Sequence, residues 1–147
     1  VAGSSILVPL DGSYLSEAIL PHMARLAHGR ELRLVLLHVV AEDPATRAGR
    51  GDAAARTRRQ ALAAEHERYL REREEQIADP LVTVEVQVRF GNPVDEILAC
   101  AREVGAQLIA MTTHGRTGLR RLVFGSVAAA VLQRSPVPVA LYRPPGL

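Results

Sequence analysis

Three short stretches hold residue types suited to binding chemistry. The first is Pro9-Leu10-Asp11-Gly12-Ser13, where a carboxylate follows an apolar run. A carboxylate held where a strand turns into a helix faces whatever binds at the strand end. Asp, Gly and Ser also cap helices whatever the function, and both readings stand. The second is His38-Val39-Val40, at the end of another apolar run, where a histidine is ordinarily a hydrogen-bonded core residue. The five histidines (22, 28, 38, 66 and 114) show no metal-ligand spacing such as HExxH. The third and most specific stretch runs from Met111-Thr112-Thr113-His114-Gly115-Arg116-Thr117-Gly118 to Gly125-Ser126-Val127. Glycines there let backbone amides approach a ligand, amides at a helix N-terminus favour an anion, and Arg116 adds charge at the rim. A surface loop with Ser126 as a helix cap is the alternative.

The elements that must position these residues alternate. Residues 4–10 are an apolar run closed by a turn, read as strand 1. Leu15, Ile19, Met23 and Leu26 recur at helical spacing over residues 13–27, with Pro21 inside to bend the helix and Gly29 to end it. Residues 32–40 form a nearly all-apolar second strand, buried on both faces. Residues 41–51 are a small-residue loop, followed by one long solvated helix over 52–78 with a thin stripe of Leu62, Tyr69, Leu70 and Ile77. Val82, Val84, Val86 and Val88 alternate with polar residues in a half-buried strand over 81–90. Pro93 opens a third helix whose stripe is Val94, Ile97, Leu98 and Ala101. Residues 108–112 are a short buried strand, 126–134 a fourth helix and 137–142 the last strand, with Pro138 near its start or at a sheet edge. The order βαβαβαβαβ predicts an α/β fold: a doubly wound, five-stranded parallel sheet with helices on both faces. Ligands of such sheets sit at the carboxyl ends of the strands where the strand order reverses.

Composition narrows the functions. The chain has 147 residues, 48% hydrophobic and 23% charged, enough for one domain over 1–147 and too few for two ordinary ones. All 18 basic residues are arginines, which removes a Walker lysine and every Schiff-base mechanism. The single cysteine, Cys100, excludes intrachain disulfides and thiolate metal clusters, and its place beside the third helix's stripe reads as buried and inert. Without tryptophan, at 3% aromatic content and a net charge of +2, nucleic-acid binding is not expected. No apolar run approaches the length of a spanning helix, and no basic region leads into an apolar stretch at the N-terminus. The expectation is a cytoplasmic protein without membrane attachment.

Over nearly its whole length the chain resembles the universal stress protein family. The resemblance is carried in order by ILVPLDGS, the LLHVV strand, the GNPVDEI turn and helix, MTTHGRTG…VFGSV and the closing SPVPVALYR. The family's nucleotide motif is G-x-x-G, nine residues, then G-[ST]. Gly115 matches the second glycine, residues 116–124 are the nine, and Gly125-Ser126 match the final pair. The resemblance implies the adenine nucleotide alpha hydrolase-like strand order 3-2-1-4-5 and an ATP site, with magnesium or manganese accompanying the phosphates. It implies that Pro9 and Asp11 lie by the adenosine, Asp11 near the ribose, and that Val39 supplies backbone contacts to adenine. It further implies that Thr112 and Gly115 border ribose and phosphates and that Gly125, Ser126 and Val127 hold the phosphate tail; Met111 and the rim residue Arg116 are counted with these as binding residues. One departure stands out: Thr112 replaces the motif's first glycine, so its side chain either crowds the ribose or phosphate or offers a hydroxyl in place of a backbone contact.

The resemblance makes the chain an ATP-binding, stress-response signalling protein that acts by binding, with an unidentified protein partner. No base is evidently placed beside a nucleophile and no arginine finger is identifiable, so catalytic residues are not assigned. A nucleotide-free interaction module and a slow ATPase are the alternatives. The last strand, from Val137 to Tyr142, would expose an apolar edge in a monomer. The resemblance implies a homodimer joined there.

Overall fold

The computed structural model describes residues 3–42, 51–113 and 125–144. Five strands form one parallel sheet: β1 (Ser4–Pro9), β2 (Leu32–Ala41), β3 (Val82–Gly91), β4 (Leu108–Thr112) and β5 (Val139–Tyr142), in the order β3-β2-β1-β4-β5. The order reverses between β1 and β4, so the switch point lies where the sequence reading puts it. Alternation along the central strands feeds two cores. Ile6, Val8, Leu34 and Leu36 pack on one face against Leu20, Met23, Leu70 and Ile77. Leu7, Val35, Leu37, Ile109 and Met111 pack on the other against Ile97, Leu98, Ala101, Ala128 and Val131. Both faces are covered, as a parallel sheet requires.

The helices are α1 (Tyr14–Glu17), α2 (Leu20–Ala27), α3 (Ala53–Glu74), α4 (Pro93–Glu103) and α5 (Ser126–Arg134). The single bent helix expected over 13–27 is therefore two. Pro21 lies in the first turn of α2, where its missing N–H is not needed. Its ring would clash with the carbonyl four residues back, which keeps α1 from running through. Gly29 at φ +70 ends α2. The long helix stops at Glu74 and tightens into a 3₁₀ turn, Glu75–Ile77. Of its expected stripe, Leu70 and Ile77 are buried and Tyr69 half-buried, while Leu62 stays 41% exposed. Asn92 caps α4, its side chain accepting the Asp95 N–H at 3.1 Å, with Pro93 at the first helical position. Strand ends differ by a residue or two from the reading. Leu10 lies outside β1, β2 extends to Ala41, β3 begins at Val82 and reaches Gly91, and β5 begins only after Pro138. That proline lacks an N–H but its carbonyl accepts the Ile109 amide at 3.0 Å, and β5 is an edge strand. Most of the loop expected over 41–51 lies outside the described residues.

Candidate functional site

At the carboxyl end of β1 the chain leaves the sheet and turns at once. Gly12 takes φ +85, a conformation that costs little only without a Cβ. Asp11 Oδ1 accepts the Ser13 N–H at 2.8 Å, and the Asp11 amide donates to Ser16 Oγ at 3.3 Å. Ser13, not Asp11, caps α1: its Oγ accepts the Ser16 amide at 3.1 Å, while Ser16 Oγ donates back to the Ser13 carbonyl at 3.0 Å. The two readings of this stretch therefore divide between two residues, and the Asp11 carboxylate is oriented by the turn instead of spent on the helix.

At the end of β4 the chain continues through Thr112 and Thr113, both buried. The Thr113 amide donates to the Tyr142 carbonyl at 2.9 Å, and the Thr113 carbonyl accepts the Gly125 amide. Residues 113 and 125 thus meet, which delivers the start of α5 to the end of β4. Gly125 is the N-cap of α5 and, as a glycine, makes no side-chain cap hydrogen bond.

Between these two segments lies a cleft of about 230 Å³. Pro9, Asp11, Val39, Met111, Thr112, Gly125, Ser126 and Val127 all line it. Eight of the ten residues proposed from sequence are thus brought together from β1, β2, β4 and α5. Gly115 and Arg116, the other two, lie outside the described residues. Leu10 and Thr113, inside the candidate stretches but given no role there, complete the lining with Ser16, Leu37, Pro93, Ile97 and Ala128, which the sequence reading missed. Ile97 and Pro93 were legible as parts of α4, but nothing in their spacing says that α4 closes the cleft. Ser16 carried a faint signal, a second serine three residues after a capping serine.

Chemically the cleft has, among the described residues, apolar lining from Leu37, Val39, Ile97 and Met111 and polar lining that includes one carboxylate, Asp11. That combination takes a flat apolar group on one side and hydroxyl or anionic groups on the other. Cys100 lies in the core behind it, wholly buried, and burial pushes its thiol up from the ordinary value.

Comparison with known proteins adds lineage to this geometry. The pattern of the universal stress protein family matches residues 4–143. The chain belongs to that family. It is 30% identical over 146 residues to universal stress protein YxiE of Bacillus subtilis, covering 95% of this chain and 99% of the relative. The solved structure of hypothetical protein MJ0577, from Methanocaldococcus jannaschii, aligns over the whole of both chains at a TM-score of 0.85 and 25% identity. Universal stress proteins solved with cAMP, with dAMP (Archaeoglobus fulgidus) and with AMP (Arabidopsis thaliana) share the fold at TM-scores of 0.64, 0.60 and 0.61. Their identities to this universal stress protein are 22%, 20% and 18%. Among the described residues of this member, no helix is long and apolar enough to cross a membrane.

Proposed function

We propose that this universal stress protein binds an adenine nucleotide in the cleft, with ATP as its cellular ligand, and acts in stress-response signalling by binding rather than turnover. The observation that carries the reading is the convergence of Asp11, Val39, Thr112 and the Gly125–Ser126–Val127 segment on one cleft at the switch point of the sheet. Universal stress proteins of this fold solved with cAMP, dAMP and AMP support an adenine nucleotide as the ligand class. In this reading the Val39 backbone meets adenine between the apolar wall residues, with Pro9 and Met111 packing beside it. Asp11 accepts from the ribose. Thr112 and Gly115 border ribose and phosphates, Arg116 stands at the rim, and Gly125, Ser126 and Val127 receive the phosphate tail. Among the described residues no group of three His, Cys, Asp or Glu side chains is fit to hold a metal. In this reading any accompanying magnesium or manganese is held mainly by phosphate oxygens and water.

We place the protein in the cytoplasm as a homodimer joined through β5, an edge strand of the sheet among the described residues. Native mass spectrometry after gel filtration with ATP and magnesium tests the ligand. The reading expects a mass increment of one nucleotide per chain, reduced in Asp11→Ala. An unliganded mass spectrum at saturating ATP would point instead to a nucleotide-free interaction module. Steady phosphate release by the purified protein would make it a slow ATPase.

A further inference from the structure

Among the described residues His38 is the one buried histidine, 5% exposed at the end of a strand of leucines and valines. It does not line the cleft. Its neighbours Leu37 and Val39 do, and because side chains alternate along a strand, His38 projects from the opposite face. There its ring stacks on His66 of α3, with centroids 4.1 Å apart and planes 23° from parallel, and meets Tyr69 edge-on at 6.4 Å. Tyr69 donates its hydroxyl to Glu17 Oε2 at 3.0 Å, and Arg73 Nε lies 2.6 Å from Glu17 Oε1. Helix α3 therefore fixes how the imidazole is turned.

The polar edge of that ring reaches the frame of the cleft. Nδ1 lies 2.9 Å from the Leu10 carbonyl oxygen, in a bond that is buried. A carbonyl only accepts, so Nδ1 carries the proton. The amide of the same residue donates to the Leu37 carbonyl at 2.8 Å. Leu10 is thus tied on both its N–H and its C=O immediately before Asp11, where Gly12 turns the chain.

We propose that His38 is a positioning residue of the cleft: its Nδ1–H on the Leu10 carbonyl sets the turn that presents Asp11, with His66 of α3 holding the imidazole in place. The effect on affinity rests on the nucleotide reading, whereas the effect on the turn is independent of it. Replacing His38 with a side chain that cannot donate leaves a buried carbonyl unpaired.

Nitrogen-15 spectra of the wild-type protein test the proposal without mutation. A slowly exchanging proton on His38 Nδ1 is expected, and an Nε2–H tautomer with bare Nδ1 would overturn it. In His38→Leu, amide exchange over residues 10–16 should quicken about tenfold, the loss of roughly one hydrogen bond. In His38→Asn, whose side-chain amide occupies the place of Nδ1, exchange should stay close to wild type. AMP affinity should follow the same order, weakened about tenfold by leucine and rescued by asparagine. If His38→Asn is as impaired as His38→Leu, the ring matters for packing alone and the proposal fails. If His38→Leu does not fold, His66→Ala takes its place: quicker exchange over 10–16 supports the proposal, and unchanged exchange refutes it. If the wild type takes up no AMP while exchange over 10–16 still separates leucine from asparagine, the nucleotide reading falls and the positioning role stands.

Discussion

Asp11 is held in place before any ligand arrives: the Ser13 amide sits on one of its oxygens and Ser16 on its own amide. A preoriented carboxylate loses little freedom on binding, so its contribution to affinity should be large. Asp11→Ala is expected to weaken adenine nucleotide binding by about tenfold or more, measured by titration calorimetry, and an unchanged Kd would remove Asp11 from the site. The adjacent turn carries its own prediction. Gly12 at φ +85 admits a Cβ only under strain, so Gly12→Ala should cost about 1–2 kcal/mol in urea unfolding. Cys100 belongs to this scale as well. Wholly buried, with its thiol pushed up by that burial, it should resist a thiol reagent at neutral pH in the native state and react fully in denaturant. Rapid native labelling would mean that α4 opens readily.

Among the elements, α3 and the β2–β3 pair show where stability resides. Helix α3 spans 22 residues yet buries only Leu70 completely. Leu70→Ala should therefore cost about 2–5 kcal/mol despite the helix's solvated faces, read from the urea midpoint at unchanged slope. Across β2 and β3, Arg33 donates from Nε and Nη2 to both oxygens of Glu85, at 2.9 and 2.7 Å. Those hydrogen bonds hold the Glu85 carboxyl below its ordinary value. A lowered folded-state pKa contributes stability that is present above the unfolded carboxylate value near ~4.3 and is lost as pH falls through the folded one. Glu85→Gln should flatten the acid side of the stability profile while leaving the slope near neutrality alone.

The elements also mark how far the sequence could be read. Helix α5 and strand β4 are predicted to the residue from Gly-Ser and from a short apolar run bounded by polar residues, although the cap of α5 is Gly125 and not Ser126. The α1–α2 break is not predicted, since Leu15, Ile19, Met23 and Leu26 keep helical spacing across it and only the geometry shows Pro21 opening a second helix. Leu62 has the right type for the stripe of α3, but its exposure is set by where the helix docks, which spacing does not encode. The cleft divides in the same way. Its β1, β4 and α5 residues were legible as motifs, whereas Pro93 and Ile97 enter because the first turns of α4 border the cleft, which depends on how that helix packs on the sheet. His38 reads from sequence as a core residue, and it is one. That its ring reaches the Leu10 carbonyl is a relation between residues 28 positions apart, visible only once β1 and β2 pair in register.

At the scale of the whole molecule the sheet has two edges, β3 and β5. Arg33, Glu85 and Arg89 place charge along the β3 side, with Arg89 paired to Glu103, a common means of discouraging pairing. The β5 edge carries Val139, Ala140, Leu141 and Tyr142 without a charge. Dimerisation should use β5: light scattering is expected to give twice the 15.9 kDa chain mass, and Leu141→Arg should return the monomer. The central claim is that the cleft between β1 and β4 is an adenine nucleotide site. Titration calorimetry with ATP and magnesium, repeated with AMP and GTP on protein stripped of nucleotide, tests it most directly. Micromolar binding of the adenine nucleotides, with ATP preferred and GTP much weaker, is the predicted result. No heat from any adenine nucleotide at saturating concentration would contradict it.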